Sequence, residues 1–286
     1  MKLSVYTFVK DGLYGDFHVV EMLKHHLPLA DEIIVNEGFS SDGTYEAIKD
    51  LDPRVKVVRN QLDRSEPEAW LRKSKDQARR LCTGDWCILV DCDEFIPEWE
   101  FGRLRAYLAG TDKHLVSATY KHFYGNYKVV YDSDRPFPPK RKQIIHRNRP
   151  DVEIYGDGSD VRISSLGAAA EETSETFECH HFGEVRRAAR LRHKWHVQAK
   201  RDIRNRWSWL PAFVFDLRPH NWFDEDFLKH LRIYDGPFVD AVRNNPDEFV
   251  RDGFALYDAL ARQGPEPSKD RSGHPAPAGG RQGPST

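Results

Sequence analysis

The first part of the chain alternates short apolar runs with segments of helical spacing, and this alternation constrains the fold more than any other feature. Four runs have the length and composition of buried strands: 3–9, 32–36, 55–58 and 86–90. Helices are predicted between them over 17–27, 42–51 and 68–81, with Asp42 as the N-cap of the second. Apolar strands separated by helices indicate a parallel sheet that is covered on both faces. We therefore expect a doubly wound α/β fold with right-handed crossovers.

The second half of the chain is less regular. Strands are predicted over 114–124 and 127–131, around a turn at Gly125 and Asn126, with shorter ones at 143–146 and 161–164. A long basic helix is predicted over 184–206, and two more helices near 224–233 and 237–242. From residue 263 the chain is rich in Pro, Gly and Ser, so we expect a disordered tail.

Composition narrows the class of protein. Hydrophobic residues make up 39% and charged residues 31% of the 286 positions, which is typical of a globular chain, and a net charge of −2 gives no overall attraction to nucleic acid. No apolar run approaches the ~20 residues that span a bilayer, and the N-terminus lacks the pattern of a signal peptide. We expect a cytoplasmic protein without an integral membrane segment. The cysteines lack zinc spacing and are expected to be reduced core residues: Cys82, Cys87, Cys92 and Cys179.

The strongest chemical motif is Asp91-Cys92-Asp93, directly after the fourth predicted strand. Ligands of doubly wound sheets bind beyond the carboxyl ends of the strands. Alternation along an extended chain places Asp91 and Asp93 on the same side, where two carboxylates repel each other. Mg²⁺ or Mn²⁺ relieves that repulsion, and such ions typically bind one or two carboxylates together with substrate phosphates. The alternative is a solvated acidic turn.

A second motif follows the second predicted strand. Glu37 ends the strand, a turn of small residues follows, and a helix begins at Asp42-Gly43-Thr44. An acid in this place suits recognition of a nucleotide base or a ribose hydroxyl, and a helix start offers free backbone N–H groups. The alternative is an ordinary strand-turn-helix connection.

Together, the two motifs resemble glycosyltransferase family 2 and its relatives with the GT-A fold. The resemblance covers residues 2–100 well and is weaker to about 205. It is carried by Ser40-Ser41-Asp42-Gly43-Thr44 and by Gly84-Asp85-Trp86-Cys87-Ile88-Leu89-Val90-Asp91-Cys92-Asp93-Glu94. It implies a mostly parallel, doubly wound sheet of the GT-A type, with helices on both faces and a helical C-terminal region.

The resemblance also implies roles for individual residues. Glu37 matches the acid near the nucleotide base or ribose, Asp91 the acid that faces the ribose and sugar, and Asp93 the metal ligand on the diphosphate. Asp42 is grouped with the residues that bind the donor. The usual Asp-Gly-Ser turn is replaced by Glu37-Gly38-Phe39-Ser40, which leaves the identity of the base open.

The stretch Cys179-His180-His181-Phe182-Gly183 resembles the step from which a histidine completes the metal site in many GT-A enzymes. If this histidine pair lies on a strand, only one of the two can face the site. The resemblance falls on His181. The alternative is an ordinary pair of surface or core histidines.

The expected function is metal-dependent transfer of a sugar from a nucleoside diphosphate sugar to an acceptor. The acceptor is open: a small molecule, a glycan, a lipid-linked compound or modified nucleic acid. An inverting reaction needs a carboxylate base, for which Asp160 ranks first, ahead of Asp157, Glu171 and Glu172. The expected division is a nucleotide-sugar-binding half at 1–110, an acceptor-side half at 111–206, a helical extension at 207–262 and the tail at 263–286.

Two other functions stay open at this stage. A nucleotidyltransferase also uses paired carboxylates on an α/β sheet, but Lys10-Asp11-Gly12 is a poor version of its phosphate-binding loop. A nucleic-acid-binding or DNA-modifying protein would use the basic stretch 186–206 together with Trp195, Trp207 and Trp209. The sequence does not indicate an oligomeric state.

Overall fold

The structure is a computed structural model that describes residues 1–61, 69–132, 139–156, 158–167, 171–187, 189–191, 194 and 229–250. Its strands are, in chain order, β1 (Leu3–Val9), β2 (Glu32–Glu37), β3 (Val55–Arg59), β4 (Trp86–Leu89), β5 (Glu94–Phe95), β6 (Leu115–Tyr124), β7 (Asn126–Tyr131), β8 (Arg141–Arg147), β9 (Glu153–Tyr155), β10 (Asp160–Arg162), β11 (Glu171–Glu184) and β12 (Leu231–Ile233). Its helices are α1 (Val19–His26), α2 (Thr44–Ile48), α3 (Trp70–Arg79), α4 (Glu98–Gly110) and α5 (Asp240–Asn244), followed by a 3-10 turn at Pro246–Phe249.

The first four strands form the parallel half of one sheet. β1 lies in the centre and pairs with β2 and β4, and β2 pairs with β3, all in parallel. Every residue of β1, β2 and β4 is buried, which agrees with strands covered on both faces. The doubly wound α/β architecture expected from the apolar runs is confirmed.

The second half of the chain extends the same sheet with mostly antiparallel pairs. The strand order is β12-β7-β6-β8-β4-β1-β2-β3. β8 pairs antiparallel with β4 and with β6, and β7 continues the sheet toward β12. β11 runs parallel to β6 and also pairs with the short β5. The proposed division at residue 110 therefore falls within one continuous sheet, and the four expected segments stay a prediction.

Two helix predictions for the second half are each wrong at one end. The helix expected over 184–206 starts in a strand, because β11 continues to Glu184, which pairs with Tyr124. The helix expected near 224–233 ends in β12, which pairs with β7. At both places pairing with a neighbouring strand outweighs helical spacing. Residues 189–191 are helical, whereas 195–206, 224–228 and the tail at 263–286 lie outside the described residues.

The structure contains a 14-residue strand, β11, whereas the sequence predicts no helix or strand over its first part, 171–178. Its first residues are polar and show no apolar alternation before Phe177. Its pairing with β6 defines it, and that pairing joins segments about sixty positions apart, such as Thr176 with Ser117. This strand carries His181.

Other expectations concern the cysteines and the membrane. All four cysteines are buried and free. In the described part of the chain, no helix is long and apolar enough to cross a membrane.

The amino ends of the parallel strands are joined by one buried carboxylate. Glu32, at the start of β2, accepts hydrogen bonds from Ser4 Oγ, Thr83 N and Lys56 Nζ, each at 2.7 Å. Burial would raise the pKa of Glu32, but the hydrogen bonds from Lys56, Ser4 and Thr83 lower it to about 2. Glu32 therefore links β1, β2, β3 and the segment before β4.

We predict that Glu32→Gln lowers the free energy of unfolding at pH 7 by about 1–3 kcal/mol, because buried donors lose a charged acceptor. A lowered carboxyl pKa stabilises the fold above the unfolded-state value of 4.5 and loses that effect as the pH falls toward 2. Urea unfolding of both proteins at pH 7 and at pH 3 should show the difference shrinking in acid. Glu46→Gln, at an exposed position of α2, should show no comparable difference at either pH.

Candidate functional site

The Asp91-Cys92-Asp93 motif lies at the carboxyl end of the parallel half, between β4 and β5. β5 pairs with β11 such that Glu94 is opposite His181. The backbone N–H of Phe182 donates to the carbonyl of Asp93 at 2.8 Å. The acidic motif is therefore fastened by main-chain bonds to the stretch that contains the predicted metal-binding histidine.

Asp93 lies between a guanidinium and an imidazole. The Asp93 side chain is only 6% exposed. Oδ2 accepts a hydrogen bond from Arg186 Nη2 at 2.6 Å, and Oδ1 lies 3.7 Å from His181 Nε2. The structure thus brings together the two residues predicted to hold a metal, and it adds Arg186, which the sequence marks only as the first residue of the basic stretch 186–206.

The protonation states follow from burial and charge. Burial by itself would raise the pKa of Asp93, but the basic groups around it, His181 and Arg186 foremost, lower it well below its usual range. Burial lowers the pKa of His181 well below 6.5, although the Asp93 carboxylate opposes this. Because burial disfavours a charged His181 ring, its attraction for the carboxylate is weak, and the permanent charge on Arg186 is the one that keeps Asp93 ionised.

The other two acids of the motif also have basic partners. Asp91 forms an ion pair with Lys75 of α3, which is buried, whereas Asp91 is partly exposed. Glu94 lies 3.2 Å from the Nζ of Lys142 of β8, and both side chains are buried. Burial raises the pKa of Glu94, and Lys142 opposes that shift. Asp91 and Asp93 therefore engage different cations, in addition to any shared ligand.

The histidine pair lies on a strand, and its two rings face opposite ways. His180 packs against Trp99 and Phe123, and its Nε2 lies 2.6 Å from Glu178 Oε1. His181 faces Asp93, and its Nδ1 lies 2.8 Å from Nδ1 of His122 on β6. Alternation along β11 therefore presents His181, rather than His180, to the acidic motif.

Glu37 shapes the turn after β2. Its carboxylate is fully buried and accepts from the backbone N–H groups of Phe39 at 3.1 Å and Ser40 at 2.5 Å. It also accepts from Arg59 Nε at 2.7 Å. The Arg59 guanidinium lies 4.5 Å from the Phe39 ring and 4.2 Å from the Tyr45 ring. Phe39 has φ 56°, a conformation unfavourable for a residue with a side chain, and is 46% exposed.

Asp42 fastens the start of α2 to the loop after β1. Its Oδ1 accepts from the Thr44 backbone N–H at 3.0 Å, and its Oδ2 accepts from the Tyr14 N–H at 2.6 Å. Burial would raise the pKa of Asp42, but the bonds from Thr44 and Tyr14 lower it. Glu37 and Asp42 thus both hold loops at the carboxyl edge of the sheet, and their direct contact with a donor stays a prediction.

Asp160 lies on β10 beside β8, where its Oδ1 accepts from the Gln143 N–H at 2.8 Å. The turn before it is attached to α3. Lys75, the partner of Asp91, also donates to the Gly158 carbonyl at 2.8 Å. Gly158 has φ 95°, and a Cβ there would meet Leu71 at 3.2 Å, so the turn packs closely on α3. Lys75 therefore connects this turn with Asp91.

The other base candidates differ in position. Asp157 lies outside the described residues. Glu171 and Glu172 lie at the first residues of β11, opposite the start of β6 at Leu115. Glu172 and His181 are nine positions apart on the strand, a distance of roughly 30 Å. Glu172 instead accepts from Ser174 and Tyr107. The structure therefore places both glutamates away from Asp93.

Comparison with known families decides the class of protein. The family model for glycosyl transferase family 2 matches residues 18–166. The chain belongs to glycosyl transferase family 2. The match includes Glu37, Asp42, Asp91, Asp93 and Asp160, and ends before His181. Family and sheet order together confirm the predicted fold of the GT-A type.

The chain is also similar, at low sequence identity, to two proteins of solved structure. TarS of S. aureus, residues 1–349, in complex with UDP-GlcNAc is 14% identical with a TM-score of 0.42, over 76% of this chain and 70% of that one. Its complex with UDP is 14% identical with a TM-score of 0.39, over 76% and 69%. Glucosyl-3-phosphoglycerate synthase from Mycobacterium tuberculosis in complex with Mn²⁺ and UDP-glucose is 18% identical with a TM-score of 0.30, over 43% of each chain. A search of curated protein sequences finds no match.

The described residues can hold a divalent cation only if further ligands, such as substrate phosphates, complete the site. In the part of the chain that the structure describes, no three His, Cys, Asp or Glu side chains form a ready metal cluster. Asp93 Oδ1 and His181 Nε2 supply an ionised carboxylate and a neutral imidazole 3.7 Å apart. Two protein ligands completed by substrate phosphates are an ordinary arrangement for Mg²⁺ and a suitable one for Mn²⁺. The donor set therefore fits such an ion.

We predict that Arg186→Gln lowers the free energy of unfolding by about 3–5 kcal/mol, because it leaves the buried Asp93 carboxylate without its partner. The double variant Asp93→Asn/Arg186→Gln should recover part of that loss. Chemical denaturation of the four proteins in this cycle measures the coupling.

Arg243→Gln is the matched control, because Arg243 pairs with Glu98 at 2.5 Å on the surface. It should cost less than about 1 kcal/mol. An Arg186 variant no less stable than this control would show that the buried pair does not stabilise the fold.

Proposed function

We propose that this chain transfers a sugar from a nucleoside diphosphate sugar, with Mn²⁺ or Mg²⁺ held by Asp93 and His181. Membership of glycosyl transferase family 2 supports the class of reaction. The observation that carries the proposal is the 3.7 Å distance between Asp93 Oδ1 and His181 Nε2, two residues that are far apart in the sequence. They meet at the carboxyl edge of the parallel strands, where ligands of such sheets bind.

The donor is proposed to lie along this edge. Asp91 is the one acid of the motif with substantial exposure, 29% of its side chain, and is the group to contact the ribose or sugar. Glu37 and Asp42 hold the neighbouring loops and frame the nucleoside. Phe39, whose ring lies against the Arg59 guanidinium, provides an exposed aromatic surface at the same edge of the sheet.

The metal ion, when bound, would neutralise negative charge that develops on the departing diphosphate. Asp93 contributes a fixed carboxylate, since Arg186 holds its second oxygen. His181 contributes a neutral nitrogen. In an inverting transfer, Asp160 would accept the proton of the acceptor hydroxyl. Its Oδ1 accepts a hydrogen bond from the Gln143 N–H, which holds the side chain beside β8. The acceptor stays open among the classes named above.

The sequence-based alternatives gain no specific support. The basic stretch 186–206 lies mostly outside the described residues, as do Trp195, Trp207 and Trp209. The family match supports glycosyl transfer rather than nucleotidyl transfer. A salt-dependent shift of DNA by the full chain would be the observation that revives nucleic-acid binding.

We predict that binding of UDP- or GDP-sugars requires a divalent ion, because Lys75 and Arg186 already neutralise Asp91 and Asp93 and leave the charge of a diphosphate uncompensated. Calorimetry of the full chain against a panel of nucleotide sugars, with Mn²⁺ or with EDTA, measures this requirement. Affinity that is unchanged in chelator contradicts the metal role. No binding of any nucleotide sugar under either condition contradicts the donor class.

Two variants locate the ion. Asp93→Asn and His181→Ala should each abolish the Mn²⁺-dependent part of donor binding and turnover. His181 is the safer variant, since its side chain is 20% exposed whereas Asp93 is in a buried ion pair. Thermal melts show whether each variant is folded. Asp112→Asn, at an exposed position before β6, should behave as the wild type.

We predict that Asp160→Asn lowers kcat by roughly 10²–10⁴-fold with donor affinity nearly unchanged, as expected for loss of a positioned base. Steady-state kinetics with the donor found above measures both. A change of less than about threefold, well below that range, would move the role to Asp157. A retained anomeric configuration in the product, read by NMR, would remove the need for a base of this kind.

A further inference from the structure

The rings of two histidines on neighbouring strands are hydrogen-bonded to each other. His122 of β6 and His181 of β11 are register partners. Their Nδ1 atoms lie 2.8 Å apart, which is hydrogen-bond distance. One of these nitrogens must therefore donate and the other accept.

A backbone carbonyl decides the direction of this bond. Nε2 of His122 lies 2.9 Å from the carbonyl oxygen of Pro139, and a carbonyl can only accept. His122 therefore carries its proton on Nε2. A neutral imidazole has a lone pair on its other nitrogen, so Nδ1 of His122 accepts, and Nδ1–H of His181 donates.

The His122 ring is buried, and burial disfavours a positive charge on it. The His122 ring stacks on Tyr120 at 5.7 Å and meets the His181 ring edge-on at 5.0 Å. A cationic His122, which would reverse the bond, is disfavoured in this setting.

This hydrogen bond determines which group His181 presents on the other side of its ring. With its proton on Nδ1, His181 presents a lone pair on Nε2 toward Oδ1 of Asp93, 3.7 Å away. Both atoms are then acceptors, and the distance is too long for a hydrogen bond. A cation between them would satisfy both.

We propose that His122 is a positioning residue that holds His181 in its Nδ1–H tautomer and so keeps Nε2 open to a divalent ion. This inference rests on the proposed function, since it concerns the ion held by Asp93 and His181. Residues that orient a metal-binding histidine typically change metal affinity by 10–100-fold when they are replaced. Without His122, Nε2–H of His181 can instead donate to Asp93, which opposes metal binding.

The first measurement uses the full chain without metal. Long-range ¹H–¹⁵N NMR of protein labelled with ¹⁵N-histidine reports the tautomer of each ring, and loss of one signal set in His181→Ala assigns it. We expect the Nδ1–H tautomer for His181 in the wild type. We expect a shift toward Nε2–H in His122→Phe, and the wild-type tautomer in His122→Asn, whose amide oxygen replaces the accepting Nδ1.

The second measurement is Mn²⁺ affinity by EPR for the same proteins. His122→Phe should weaken it by roughly 10–100-fold, and His122→Asn should restore most of it. His114→Phe, beside β6 but outside the pair, should leave both the tautomer of His181 and the affinity unchanged.

The outcomes separate this proposal from the function on which it rests. An Nε2–H tautomer of His181 in the wild type overturns the proposal, as does a His122→Phe variant with unchanged tautomer or unchanged Mn²⁺ affinity. In each of these cases wild-type Mn²⁺ binding can persist, and the proposed function stands. If the wild type binds no Mn²⁺, even with a nucleotide sugar present, the metal role in the proposed function fails and this proposal fails with it.

Discussion

The buried ion pair between Arg186 and Asp93 is the contact on which the arrangement of the site depends. Arg186 also donates to the carbonyls of Gly15 and of Gly183, and its guanidinium lies 3.8 Å from the Phe17 ring. These partners belong to the loop after β1, to the acidic motif and to the end of β11. One side chain thereby joins three segments that are far apart in the chain, with 93 positions between Arg186 and Asp93. The pair also fixes which oxygen of Asp93 remains directed at His181.

The sequence predicts the parallel half of the sheet because each of its strands is recognisable by itself. β1, β2 and β4 are continuous apolar runs bounded by polar turns, and they need no knowledge of their neighbours. Asp93 was predicted for the same local reason, since it follows such a run. Its burial was not, because the covering group, Arg186, comes from a distant part of the chain.

The residues missed by the sequence share this dependence on distant pairing. Lys142 and His122 are placed at the site by the pairing of β8, β6 and β11, and Lys75 by the packing of α3 on the sheet. Each is an ordinary basic residue in its own segment. His181 was predicted from a family resemblance, and its partner His122, 59 positions earlier, carries no local signal. The first half of β11 is polar, and its sequence gives no sign of a strand. The strand depends on hydrogen bonds to β6, which cannot be read from the segment itself.

The matching of acids with bases at the motif bears on how a ligand enters. Asp91, Asp93 and Glu94 are paired with Lys75, Arg186 and Lys142, so these side chains together are close to electroneutral. A divalent ion alone, or a diphosphate alone, would bring an uncompensated double charge into surroundings of low polarity, which is costly. When the divalent ion and the diphosphate bind together, their charges cancel. For a donor bound in this way, thermodynamic linkage makes ion and nucleotide mutually dependent, so that each raises the affinity of the other by the same factor.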